Sequence, residues 1–215
     1  DPAEAGQPRG EVRVEGRQFY WQFEYPGGVI SVNRLMLPAG RVTELEIVAP
    51  EHDVIHSFWV PTLAGKRDAV PGDATKMKVR PDAPGLHRIV CGEFCGIQHA
   101  AMYGQVEVVT GEEFDRWLEA QQTEQEEPSA ELGEATFEAA CATCHGVQGE
   151  GLIGPPLAGS PIVEQAEAVE EVVREGRGAM PAVGEGWSDV QMRSLLQYVS
   201  RELGGEGGGA GGGEG

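Results

Sequence analysis

The hydrophobic pattern of this chain changes period once, near Thr110, and that change limits it to two kinds of unit in series. Upstream, apolar and polar residues alternate over short runs. Glu11–Glu15 and Thr43–Val48 alternate cleanly, and Gln18–Tyr25 is rich in aromatic residues. Val54–Val60, Thr75–Arg80, Leu86–Cys91 and Gln105–Val109 are further strand candidates. Pro and Gly interrupt them at Pro26-Gly27-Gly28, Pro38-Ala39-Gly40, Pro71-Gly72 and Pro84-Gly85. Short strands at this spacing predict an all-β sandwich or barrel. Downstream the period becomes helical. Thr110-Gly-Glu-Glu113 matches a capping box, with Phe114, Trp117 and Leu118 on one helical face. Thr136–Cys141, a helix opened by Ser160-Pro161 and closed at Gly176, and a helix capped by Ser188 predict an all-α second unit.

These periods divide the 215 residues into an N-terminal extension (1–10), a β domain (11–118), a polar acidic linker (119–130), an α domain (131–203) and a Gly-rich, disordered tail (204–215). Charge follows the same division. Residues 1–118 hold 12 basic and 17 acidic residues, a balance of −5; residues 119–215 hold 4 and 18, a balance of −14. A net charge of −19 makes nucleic acid an improbable partner and favours a cationic one. No run approaches the roughly 18–20 apolar residues that span a bilayer. The chain opens Asp1-Pro2 with no visible signal peptide, which fits a processed or excised soluble portion.

All four cysteines fall in two short clusters. Two local disulfides would close such small loops that they would stabilise little. The first cluster, Cys91-Gly-Glu-Phe-Cys95-Gly-Ile-Gln-His99-Ala-Ala-Met102, gathers thiolate, imidazole and thioether donors, which select copper. Zinc also accepts two Cys and two His, but the thioether adds nothing for it. A mononuclear blue-copper site needs one Cys; a second thiolate allows two ions to be bridged. The second cluster, Cys141-Ala-Thr-Cys144-His145, has the spacing of c-type haem attachment. A zinc knuckle or redox dithiol is its rival.

The first cluster strongly resembles the CuA loop of subunit II of haem-copper cytochrome oxidases. His56-Ser-Phe-Trp-Val-Pro61, Lys66-Arg-Asp68-Ala-Val-Pro71-Gly72 and Gly16-Arg-Gln-Phe-Tyr-Trp21-Gln-Phe-Glu-Tyr-Pro26 look like that family too, so the resemblance covers roughly 11–118. It implies a cupredoxin-like sandwich. It implies that Cys91 and Cys95 bridge two coppers and that His56 and His99 each bind one. Met102 and the Glu93 carbonyl would be weak ligands. The Glu93 side chain would contribute to a magnesium site completed by subunit I. The family often places Trp first in the aromatic run; this chain has Phe19 there, then Tyr20 and Trp21. These three rings are candidates for electron entry and equally for core packing. His52 and His87 have no motif support and are expected to be surface or core histidines, and Met36, Met77 and Met192 packing residues.

The second cluster, with Ile153-Gly-Pro-Pro-Leu157 and Gly178-Ala-Met180-Pro-Ala182, resembles class I cytochromes c over about 130–203. That resemblance implies one covalent haem c on Cys141 and Cys144, with His145 and Met180 as iron ligands.

A cytochrome c domain fused after a CuA domain is similar to subunit II of the caa-type oxidases. The similarity implies an electron-transfer subunit of cytochrome c oxidase, a proton-translocating oxidoreductase. Electrons would pass from an external, basic donor through haem c and CuA to the haem centres of subunit I, where dioxygen becomes water. The chain itself would hold no catalytic residue. It would lie on the extracytoplasmic face of a bacterial membrane, anchored by N-terminal helices absent from this sequence. The alternatives are an electron-entry subunit of a nitric oxide or nitrous oxide reductase, and a non-enzymatic copper carrier.

Overall fold

A computed structural model describes residues 10–204, so the extension at 1–9 and the tail from 205 lie outside the described residues. The described residues form two compact units, divided between Glu126 and Glu127.

The first unit is a cupredoxin-like sandwich of two five-stranded sheets. One has the order β3 (Ile30–Val32), β2 (Tyr20–Glu24), β1 (Glu11–Arg17), β5 (Thr43–Val48), β8 (Thr75–Val79). The other has the order β4 (Arg34–Pro38), β10 (Tyr103–Val109), β9 (Gly85–Cys91), β6 (His56–Val60), β7 (Ala64–Ala69). β1 runs parallel to β5, and β4 parallel to β10; the other pairings are antiparallel. Alternation explains the layering: Val12 and Val14 of β1 and Leu45 and Ile47 of β5 are buried, while Glu11 and Arg13 face water. Trp21, Phe23 and Phe58 interlock between the sheets as edge-to-face pairs.

Three strands have no sequence expectation. β3 is only three residues long. β4 follows it after one residue, Asn33, which takes a positive φ of 55°. β7 carries Lys66, Arg67 and Asp68 on an exposed edge, where charge discourages pairing with another chain.

α1 (Gly111–Glu124) opens with the expected capping box: the Thr110 hydroxyl accepts from Glu113 N, and the Glu113 carboxylate accepts from Thr110 N. Phe114 and Trp117 pack on Tyr25, whose hydroxyl accepts from Met36 N at 2.7 Å. The helix runs through 119–124, which the sequence suggested was linker. Two glutamines account for the difference. Gln122 Nε2 donates to the Pro26 carbonyl at 3.0 Å. Gln125 accepts from Ile30 N (2.8 Å) and donates to Ile30 O (2.9 Å), as a neighbouring strand would along the β3 edge.

The second unit is helical. Ser129 caps α2 (Ala130–Ala140), which packs across α5 (Asp189–Leu203). A Cβ at Gly133 would stand 2.3 Å from the Ser194 carbonyl, so a glycine is required at this crossing. Phe137, Trp187, Met192, Leu195 and Val199 form the buried interior. The single helix expected from Pro161 to Gly176 is instead a 3₁₀ turn, Pro161–Glu164, followed by α4 (Ala166–Glu175). Ser160 makes no side-chain cap, and Gln165 leaves helical geometry at φ −105°, ψ 80°. None of the described helices is long and apolar enough to cross a membrane.

Candidate metal centre

Two segments of the sandwich converge at one end. β6 contributes His56 at its first residue, and β9 ends on Cys91. The loop after Cys91 turns back through a 3₁₀ turn at His99–Ala101 into β10. Gly92 N donates to the Ser57 carbonyl at 2.8 Å, which pins the start of the loop to β6. One ring nitrogen of His56 and the two Sγ atoms of Cys91 and Cys95 lie within 4.8 Å of one another, and all three residues are buried. Cys91 Sγ is 3.8 Å from Cys95 Sγ and 3.1 Å from the Glu93 carbonyl oxygen. Cys95 Sγ is 3.6 Å from His99 Nδ1 and 3.7 Å from Met102 Sδ. The fold therefore gathers His56, Cys91, Glu93, Cys95, His99 and Met102, residues as far as 46 positions apart, around two sulfurs.

Electrostatics distinguish the two thiols. A hydrogen bond from Cys95, aided by His56 and by backbone N–H groups, holds Cys91 far below its ordinary range as a thiolate. The Cys91 thiolate in turn keeps the proton on Cys95 and pushes that group up. Burial works to lower His56, but the hydrogen bond to Asp53 and the Cys91 charge outweigh it and raise the group. His56 Nε2 lies 3.0 Å from Asp53 Oδ1, while the fully buried Nδ1 has no hydrogen-bond partner. An imidazole with one nitrogen oriented by a carboxylate and the other bare suits metal ligation. Soft sulfur and imidazole donors in a buried pocket suit copper.

The Glu93 carboxylate is exposed and faces the Lys66 ammonium at 4.0 Å. The three rings considered for electron entry separate. Tyr20 and Trp21 are wholly enclosed and present no surface to a partner; β2 is an inner strand, and Trp21 packs edge-on against His56. Phe19 is half-buried and lies against the ligand loop: a Cβ at Gly96 would meet its ring at 3.0 Å. Phe94 and Ile97, flanking Cys95, are 78% and 77% exposed. Their position in the ligand loop was readable from sequence, but their exposure was not.

In the second unit, Cys141 ends α2 and Cys144-His145 lie on the short α3 (Ala142–His145). Burial pushes the Cys141 thiol up to about 12 and also raises Cys144. The following loop folds back over His145. Gly151 N donates to the His145 carbonyl, and Gly154 N to that of Cys144, at 2.7 and 2.8 Å. His145 Nδ1 is 2.7 Å from the Pro155 carbonyl, and a Cβ at Gly154 would come within 2.7 Å of the imidazole. These contacts give Gly154-Pro155 a physical role: one residue leaves room for the ring, and the other orients it. Met180 is half-buried and closes a turn with Arg177 through backbone hydrogen bonds of 2.9 and 3.1 Å.

Residues 28–109 match the family described as cytochrome C oxidase subunit II, periplasmic domain. Residues 128–199 match cytochrome C oxidase, cbb3-type, subunit III. The cytochrome c oxidase subunit 2 of Alkalihalophilus pseudofirmus is 38% identical over 219 residues, which cover 93% of this chain and 63% of that protein. The same-named protein of Bacillus sp. (strain PS3) is 33% identical over 147 residues, covering 63% and 41%. This chain thus spans less than two thirds of either relative. The crystal structure of the periplasmic domain of subunit II of cytochrome oxidase from Bradyrhizobium japonicum superposes with a TM-score of 0.51 at 26% identity. That match covers 55% of this chain and 96% of the other. The first unit is thus similar to the periplasmic domain of cytochrome c oxidase subunit II, and the second to subunit III of cbb3-type cytochrome c oxidase.

Proposed function

We propose that this chain is the extracytoplasmic part of subunit II of a caa-type terminal oxidase. It would take electrons from an external donor and pass them towards subunit I, where dioxygen is reduced. The observation that carries this reading is the donor set around Cys91 and Cys95, combined in one chain with Cys141-x-x-Cys144-His145.

The residues divide the work. Cys91 and Cys95, together with His56 and His99, would hold two copper ions. Met102 and the Glu93 carbonyl would complete the set weakly. Six donors gathered at two neighbouring sulfurs exceed the four that a single tetrahedral ion takes. Cys141 and Cys144 would carry haem c by thioether bonds. His145 and Met180 would be the iron ligands, a pair that raises the potential relative to two histidines. The two groups would supply one-electron redox chemistry; the protein holds their ligands in place and keeps water from them. Burial of His56, Cys91, Cys95 and Met102 serves that purpose.

Phe94 and Ile97 form an exposed apolar pair on the copper loop, suited to an oxidase partner. Phe19 is the one ring of the aromatic run with a surface that an electron donor could touch. A magnesium ion at Glu93 would need ligands from subunit I, since Lys66 is a competing cation in this chain.

Affinity purification of the membrane-anchored protein from its native membrane tests the assignment. Co-purification of haem a with oxygen uptake is the expected result. Reduction of nitric or nitrous oxide without haem a would replace it with a denitrifying reductase. Ready release of copper to apo-acceptors, with no reductase partner, would replace it with a copper carrier.

A further inference from the structure

The two ligand-bearing segments of the first unit are joined by residues that would not themselves touch metal. Gln18, at the β1–β2 turn, donates from Nε2 to the Cys95 carbonyl at 2.6 Å. Its backbone N donates to Asp53 Oδ2 at 3.1 Å. The other oxygen of that carboxylate, Oδ1, lies 3.0 Å from His56 Nε2 and accepts from Val54 N at 2.7 Å. Three segments, far apart in sequence, are thus stitched in one line: Cys95, Gln18, Asp53, His56.

We propose that Gln18 and Asp53 act as a positioning relay that fixes His56 and Cys95 relative to one another. The inference rests on the copper reading above and adds residues to it. Asp53 assigns the proton of His56 to Nε2 and so leaves the buried Nδ1 with its lone pair bare. Gln18 holds the Cys95 carbonyl beside Gly96, which takes a φ of +130° and where a Cβ would meet Gln18 Nε2 and the Phe19 ring at 3.0 Å. Asp53 is oriented by three N–H donors, so its carboxylate cannot turn without breaking all of them. A ligand pair held from behind in this way keeps its geometry when the charge of the centre changes, which speeds electron transfer.

The experiment uses the full chain, loaded with haem and copper, in wild-type, Asp53→Ala, Asp53→Asn, Gln18→Leu and double Asp53→Ala/Gln18→Leu forms. Copper retention against a chelator and the copper electron paramagnetic resonance spectrum are read, with circular dichroism as the folding control. Asp53→Ala and Gln18→Leu are each expected to weaken copper retention by about 10–100-fold and to shift the copper hyperfine pattern. The double variant should lose far less than the product of the single losses, because the two residues act as one unit. Asp53→Asn keeps one acceptor oxygen but sets an amide NH2 against the other donor, so it should recover the affinity only in part. Multiplicative losses or unchanged single variants would each overturn the relay. A wild-type chain that fails to hold two coppers would instead remove the copper reading on which it rests.

Discussion

His145 Nδ1 lies 2.7 Å from the carbonyl oxygen of Pro155, and this contact decides which nitrogen of the ring is available. A carbonyl can only accept, so Nδ1 carries the proton and Nε2 is left with its lone pair. A ring fixed in that tautomer is ready for iron. Gly154 is the other half of the arrangement. Alanine at this position would put a methyl group 2.7 Å from His145 Cε1 and 2.9 Å from Nδ1. Gly154→Ala should therefore displace the ring at a cost of about 1–3 kcal/mol. Its ferrous and ferric visible spectra should show a partly lost axial ligand. A variant with wild-type haem spectra would contradict this role for Gly154.

The two units are joined by few residues. α1 ends at Glu124, Gln125 is tied to Ile30, and Ser129 already caps α2. A short tether holds donor near acceptor at an effective concentration of about millimolar. Cleavage between Glu126 and Glu127 should turn haem-to-copper transfer from a first-order process into one that depends on protein concentration. Flash-initiated kinetics on intact and cleaved protein make the comparison. Unchanged first-order kinetics after the halves are separated would rule the tether out as the source of rapid transfer.

Negative charge is concentrated in the second half of the sequence, where residues 119–215 carry a balance of −14. Attraction of a basic donor should fall as salt screens it. Reduction by a cationic cytochrome is expected to slow by roughly tenfold or more from low to physiological ionic strength. A rate flat with salt would point to an uncharged docking patch.

The first turn of α1 should be sensitive to acid. Hydrogen bonds from the Thr110 hydroxyl and backbone lower Glu113, and hydrogen bonds from Arg41 lower Asp115. A carboxylate lowered in the folded state stabilises it fully above its unfolded value, about 4. That contribution is lost as pH falls through the lower folded value. Both groups lie in water, so the effect is local fraying rather than global unfolding. Amide exchange in 111–118, measured against the sheet interior, should rise selectively as pH is lowered from about 5 to about 3, after correction for intrinsic rates. Protection that stays constant over that range would refute the proposed role of these carboxylates.

Much of this arrangement is legible in the sequence because its chemistry is rare and its spacing local. Cys91, Cys95, His99 and Met102 fall within one short loop, and Cys141, Cys144 and His145 are nearly adjacent. The change from period two to helical period at Thr110 is equally plain. What the sequence conceals depends on distant contacts. Asp53 and Gln18 meet across 35 positions, and Gln18 and Cys95 across 77, with no local pattern to mark them. Polar composition suggested that 119–124 was linker, yet glutamine bonds to Pro26 and Ile30 hold it as helix. Tyr20 and Trp21 share an aromatic run with Phe19, and only the position of β2 inside its sheet separates the enclosed rings from the accessible one. β7 leaves no mark in the sequence because an exposed, charged edge strand lacks the alternation that reveals a buried one.

With both groups bound, this chain would hold a dinuclear copper site and a single haem. The ratio of copper to iron per chain, measured on protein matured with haem and reconstituted with copper, addresses it most directly. Two coppers for each iron is the result this account predicts. One copper for each iron would contradict it and point to a mononuclear site.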